Sequence, residues 1–341
     1  MTTGYVYDPI FLEHTKRGHP ESAQRLVAIM EELERTGLLP LLTHVPSRAA
    51  MPDELALIHA PSYITQVKMI SQSGGGYLDM DTYVTPATYD AAAIAAGSTV
   101  DLTLAVVDGH LDNGFALVRP PGHHALNFQG MGFCIFNNIV LAARAAQKER
   151  GVERVAIVDF DVHHGNGTQP MTEADSSVLF ISTHQYPFYP GTGNVNEVGQ
   201  GAGKGSAINL PLRVGVSDAG FQDLYTEIVV PALRRFKPDL ILVSAGYDAH
   251  WHDPLAGLDL TLSGYAWMAQ TLVAAAQELC GGKIVFVLEG GYDLVVLRVG
   301  IANTFRAMLG RDDFEDPVGP SPRIPPDMTE YIAEVKKVHG L

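Results

Sequence analysis

Five short apolar runs punctuate the chain, each closed by glycine or polar residues: Phe115–Val118, Val155–Val158, Val178–Ile181, Leu240–Val243 and Ile284–Leu288. They are rich in β-branched residues and almost continuously hydrophobic, the pattern of strands buried on both faces of a parallel sheet. Between them, apolar positions recur at helical spacing over 137–150, 221–236, 263–279 and 294–309. This alternation predicts an α/β fold, a doubly wound, mostly parallel sheet flanked by helices. Ligands in such sheets bind at the carboxyl ends of the strands. The polar signatures fall there: His123-His124 after the first run, Asp159 to His164 after the second, Ser182 after the third, Asp248 after the fourth, and Glu289-Gly290-Gly291-Tyr292 after the fifth.

Glycine-rich 73–76 and 199–205 read as loops, and neither sits as a phosphate loop would, between strand and helix. Residues 1–310 are expected to form one catalytic domain. The C-terminal extension 311–341 is proline-rich and acidic, then helical over Met328–Lys337, and either packs on the surface or serves a homo-oligomer contact. A hydrophobic fraction of 46% over 341 residues supports a large core. The net charge of −15 argues against a nucleic-acid partner and suits a cationic one. Cys134 and Cys280, with no CxxC pair, exclude a thiolate zinc cluster and a disulfide framework and fit a reducing compartment. With no signal-like start, no apolar stretch expected to span a membrane and no basic import cluster, the cytoplasm is the expected location.

Asp161 and His163 stand two apart just after an apolar strand, so in extended backbone they point to the same side. Carboxylates and imidazoles avoid the end of a buried strand unless a metal, a proton transfer or a partner offsets their desolvation. With His123 and His124 after the preceding apolar run, the combination points to a metallohydrolase. A third ligand from another exit would complete a catalytic zinc site that keeps one position for water. Asp248 is the best candidate, the alternative being a turn or helix cap. Two carboxylates and one imidazole leave Zn²⁺ nominally neutral yet able to polarise a carbonyl, and the same donors would accept Fe²⁺, Co²⁺ or Mn²⁺.

The runs RPPGHHA (119–125), DFDVHHGNGTQ (159–169), PFYPGTGN (187–194), SAGYDAHWHDPLAG (244–257) and LEGGYD (288–293) resemble the zinc-dependent histone deacetylase family. That family includes bacterial histone deacetylase-like amidohydrolases, acetylpolyamine amidohydrolases and acetoin-utilisation proteins. The resemblance implies an arginase-like fold and cleavage of an N-acyl amide, typically on a lysine side chain. Residue by residue, it implies Asp161, His163 and Asp248 as zinc ligands, His123 and His124 as the tandem histidines, Tyr292 as the catalytic tyrosine and Asp159 as the carboxylate orienting His123. Asn166 stands where class II-like members have Asn. Asp159, Ser182 and Thr183, with the backbone of Asp161 and His163, match a structural site for K⁺ or Na⁺, and Arg25 matches an arginine lining an internal cavity.

On the same resemblance Tyr292 donates to the developing oxyanion, and His124 carries the proton from water to the departing amine. His123 stays cationic, because a neighbouring carboxylate favours imidazolium. Phe133 and Tyr189 match the facing aromatics of the substrate tunnel, with Gly132 beside them. Asp81 falls near the rim carboxylate that grips substrate backbone, or is a solvated loop charge. Leu255 stands where polyamine-selective members carry an acidic residue, so acetyl-lysine in a protein or peptide is the expected substrate and a small acylated amine the alternative. A binuclear-manganese ureohydrolase would need bridging carboxylates that Gly246-Tyr247-Asp248 does not offer. A non-catalytic acyl-lysine reader or metabolic regulator would not need His123, His124, Asp159 and Tyr292 together.

Overall fold

The structure is a computed structural model that describes residues 1–341. Its strands are β1 (Thr3–Val6), β2 (Thr43–His44), β3 (Gly76–Tyr77), β4 (Tyr83–Val84), β5 (Asn113–Ala116), β6 (Val155–Asp159), β7 (Val178–Gln185), β8 (Ala207–Leu212), β9 (Leu240–Ala245) and β10 (Ile284–Leu288). Apart from the hairpin β3–β4, they form one eight-stranded sheet ordered β2-β1-β5-β10-β9-β6-β7-β8, with every pairing parallel. All five predicted strands are present. β5 stops short of Val118 because the chain turns into Pro120 and Pro121, which have no N–H for a ladder. β7 runs on to Gln185, so Ser182 lies within the strand and not beyond it as its apolar run implied. β8 carries Asn209 and Pro211 and lacks a continuous apolar signature; as an edge strand it tolerates the proline.

The helices lie in two groups that cover the two faces of the sheet. One contains Ala23–Arg35, Leu262–Cys280 and Leu294–Met308, the other Pro61–Gln72, Thr88–Val107 and Asn138–Arg150. Asn138–Arg150 begins where the Asn137 side chain accepts from Val140 N at 3.1 Å. The helical segment Asp218–Phe236 widens to π-winding over Tyr225–Val229, beside Pro231, which cannot donate into the ladder. Thr88–Val107 corrects an expectation: it is long and apolar enough to cross a membrane by length and composition. In this protein 72% of its most apolar window is buried inside the fold.

The extension 311–341 packs on the body. Met328 and Val335 join the main apolar core, with Val335 completely buried. Upstream, Trp251 Nε1 donates to Gly319 O (2.9 Å), while Ser321 Oγ and Arg323 converge on the buried Asp259 at 2.9 and 2.5 Å. The tail thus clasps the loop that follows β9, the loop that carries Asp248 and Leu255.

A buried ion cluster fixes the N-terminal segment to the exit of β5. Arg119 pairs with Glu21 through two of its nitrogens, one contact at 2.7 Å, and donates to Phe11 O and His14 O at 2.6 and 2.7 Å. Burial pushes the Glu21 carboxyl up, but Arg119 and its hydrogen bond pull it below its ordinary 4.5, to about 2. Removing one member of a fully buried pair leaves the other charge uncompensated, at a cost of about 3–5 kcal/mol. Glu21→Ala is therefore expected to lower unfolding free energy in denaturant titration by about that amount. Because the folded carboxyl is depressed, its contribution is complete above pH 4.5 and is lost as pH falls through about 2.

Candidate active site

Asp161, His163 and Asp248 meet at the carboxyl ends of β6 and β9, with one donor atom from each lying within 4.8 Å of the others. His163 Nδ1 lies 3.0 Å from Asp161 Oδ1 and 3.3 Å from Asp248 Oδ2. Main-chain donors hold the acids in place: Gly290 N reaches Asp161 Oδ2 at 2.8 Å, and Val162 N reaches Asp248 Oδ1 at 2.9 Å. Asp248 Oδ2 is buried with no hydrogen-bond partner. A Cβ at Gly246 would lie 2.1 Å from Asp161 Oδ2, and one at Gly290 would lie 2.2 Å from Asp248 Oδ2. Glycine there keeps the hollow open. Burial opposes charge on His163, yet the two carboxylates hold its pKa up at about 10. A divalent cation would answer the same pull, and an orphaned carboxylate oxygen beside an imidazole nitrogen is the donor set it needs.

The tandem histidines differ in their partners. His123 Nδ1 lies 3.0 Å from Asp159 Oδ2; burial works against its charge, but Asp159 and Asp161 raise its pKa to about 10. Burial raises the Asp159 carboxyl to about 6, with His123 opposing, so at neutral pH the pair is imidazolium and carboxylate. His124 Nδ1 faces Asn166 Oδ1 at 2.7 Å. An amide oxygen only accepts, so Nδ1 carries the proton and Nε2 is left with its lone pair. Burial, and then the neighbouring His123, push His124 well below its ordinary value. The two rings lie 4.0 Å apart between centroids.

Above these groups lies a cavity of about 260 Å³ lined by His123, His124, His163 and Tyr292 at depth, and by Gly132, Phe133, Tyr189, Leu255 and Asp81. Tyr189 is 39% exposed, and its ring stands edge-on to His124 at 5.3 Å. Phe133 stands edge-on to Tyr292 at 6.0 Å and to His19 at 4.6 Å. Gly132 and Phe133 both adopt positive φ, +56° and +69°. A Cβ on Gly132 would lie 2.4 Å from His124 Cδ2. Asp81 is exposed at the rim, where its carbonyl accepts from His19 Nε2 at 3.2 Å.

The remaining candidates take more structural positions. Ser182 is registered against Asp159 across β6 and β7, and Thr183 Oγ1 donates to Asp159 O at 3.3 Å. Arg25 is fully buried: Nε donates to Gly291 O at 2.8 Å, one terminal nitrogen to Glu289 O at 2.5 Å and the other to the Glu21 carboxylate at 3.3 Å. Its guanidinium also lies 5.3 Å from the Tyr292 ring centroid.

Two acids to which the sequence gives no role hold the loops of the site. Glu289 accepts from Gly122 N (2.8 Å), His123 N (3.1 Å) and Ser244 Oγ (3.0 Å), so it seats the tandem-histidine loop. Asp253 accepts from Tyr292 N at 2.7 Å. Their presence in LEGGYD and HDPL was visible, but their main-chain partners are distant in sequence. Glu289, His123 and Cys134 also approach one another as a metal set would. These atoms also have protein partners, with His123 Nδ1 facing Asp159, Glu289 accepting from backbone and Cys134 Sγ accepting from His124 N.

Comparison with known proteins agrees with this geometry. A family profile for the histone deacetylase domain matches residues 19–308. The chain is 43% identical to the chloroplastic histone deacetylase 10 of Oryza sativa subsp. japonica, over 96% of this chain and 79% of that one. It is 39% identical to the histone deacetylase-like amidohydrolase of Pseudomonas aeruginosa, over 85% of this chain and 75% of that one. The crystal structure of the HDA15 HD domain superposes with a TM-score of 0.91 at 37% identity, covering 99% of this chain and 94% of that one.

Zinc titration of the metal-free chain, followed by calorimetry and elemental analysis, is expected to give a single tight site. Asp248→Ala is expected to weaken that site by at least roughly 100-fold, since one of three protein donors is lost. Two ions per chain would contradict the assignment.

Proposed function

This chain belongs to the histone deacetylase family and is a hydrolytic enzyme, and from that premise we propose that it deacetylates Nε-acetyl-lysine in proteins or peptides with one bound zinc ion. The reading rests on one observation: Asp161 and Asp248 converge on His163, which lines the cavity whose walls include Phe133 and Tyr189. Zinc held by those three side chains supplies Lewis acidity, polarising the acyl carbonyl and lowering the pKa of water towards about 7.

The protein's own groups do the rest. Phe133 and Tyr189 border the path of an apolar lysine stem. Leu255 presents no acid to a remote ammonium, which favours a lysine in peptide linkage over a polyamine. Asp81 at the rim is placed to accept from substrate backbone. His124 Nε2, freed by the Nδ1–H bond to Asn166, takes a proton from water and returns it to the amine as the C–N bond breaks, leaving acetate and free lysine. Tyr292 donates to the oxygen that gains charge, and cationic His123 favours that charge from beside His124. We assign a structural K⁺ or Na⁺ to Asp159, Ser182 and Thr183 with the backbone of Asp161 and His163, on the contact of Asp159 with both strand residues. Buried, free Cys134 and Cys280 suit the reducing cytoplasm, the compartment we propose.

An acyl panel tests this reading. Acetyl-lysine peptides are expected to turn over faster than N-acetylputrescine, with activity lost to a chelator and blocked by a hydroxamate. Preference for the polyamine would overturn the substrate assignment. His124→Ala is expected to lower kcat by roughly 10²–10⁴-fold, the usual size of a general acid–base contribution. Normal turnover in His124→Ala alongside a dead His123→Ala would reverse the roles of the two histidines.

A further inference from the structure

The loop that carries Tyr292 hinges on two glycines and is gripped from both sides. On the inner side, Arg25 takes the carbonyls of Glu289 and Gly291, and Tyr247 N donates to Gly290 O at 3.1 Å. Gly291 has φ +112°, a backbone region that side chains rarely enter, and the far end of the Gly290-Gly291 pair is the N–H of Tyr292. That end is fixed by a single carboxylate. Asp253 Oδ2 accepts from Tyr292 N at 2.7 Å and from Asp293 N at 3.2 Å, while Oδ1 accepts from Leu255 N at 2.9 Å. Asp253 is itself buried, and its own N–H is bonded to His250 O.

The helix that follows does not need this carboxylate as its cap. Asp293 already caps it, accepting from Val295 N and Val296 N at 2.9 Å each. Asp253 therefore acts upstream of the helix, on the backbone of Tyr292 itself. The same carboxylate sets Leu255, so the tyrosine and the side chain that discriminates substrates share one anchor. That anchor belongs to the loop after β9, which the tail clasps through Trp251 and Asp259.

We propose that Asp253 is a positioning residue that holds Tyr292 in its donating pose and registers it against Leu255. The proposal rests on the role given to Tyr292 above. Asp253→Ala is expected to lower kcat on an acetyl-lysine peptide by roughly 10–100-fold, up to the range for losing an oxyanion donor, with KM changed by less than about 3-fold. Asp253→Asn keeps one acceptor oxygen and is expected to recover part of the loss; it also serves if the alanine variant does not fold. In a Tyr292→Phe background, Asp253→Ala should change kcat by less than about 3-fold, because no donor remains to be placed. Hydrogen–deuterium exchange at Tyr292 and Asp293 should quicken in Asp253→Ala, in both metal-free and zinc-loaded protein.

Unchanged kcat in Asp253→Ala, or losses that multiply in the Tyr292→Phe background, would overturn the proposal. A wild-type chain inactive on every acyl substrate would instead remove the functional reading. In that case unaltered exchange at residues 292 and 293 would still remove this one.

Discussion

Loops leaving the carboxyl ends of parallel strands carry N–H groups that have lost their ladder partners and must find acceptors out of reach of water. Here they find carboxylates lent by neighbouring exits. Asp161 takes Gly290 N, Asp248 takes Val162 N, Glu289 takes Gly122 N and His123 N, and Asp253 takes Tyr292 N. Each bond crosses between loops far apart in sequence, so four independent exits behave as one rigid floor. The acids that hold the floor together are the same kind of group that the chemistry requires, and some serve both ends: one oxygen faces backbone while the other faces the hollow.

Such a concentration of buried acids is unfavourable unless something positive answers it. Burial raises Glu289 to about 7 and Asp159 to about 6, and His123 offsets both. Asp161 is instead held well below its ordinary value, burial notwithstanding, by His123 and His163. His124 stands outside this bargain: burial and then the neighbouring His123 push it low, and its ring partner, Asn166, is a neutral amide.

Much of this was readable in the chain itself. Continuous apolar runs mark the strands at the centre of the sheet, and the candidate ligands stand two apart or just beyond them. What escaped had a common physical origin. β8 hid behind Asn209 and Pro211, which an edge position tolerates. Thr88–Val107 is buried almost all round and so shows little amphipathic rhythm. Glu289 and Asp253 earn their roles from backbone partners that only the folded chain brings near. The tail, legible as a helix, gave no sign in its own residues that Val335 would enter the core or that Arg323 would answer Asp259.

Phe133 is one of two non-glycine residues in the chain with positive φ, and it follows a glycine in the same region. For an L-residue this conformation costs roughly 1–2 kcal/mol, a penalty glycine would not incur. A bare backbone would be the more comfortable choice at that turn, and the benzyl group placed there lines the cavity beside His163. Attempts to remodel the entrance for bulkier acyl chains will meet this constraint first. Branched aliphatics at 133 will fight the main chain before they touch a ligand, whereas trimming to glycine relaxes the turn while opening the wall. Relief of conformational tension and loss of a cavity wall are thereby bound into a single substitution.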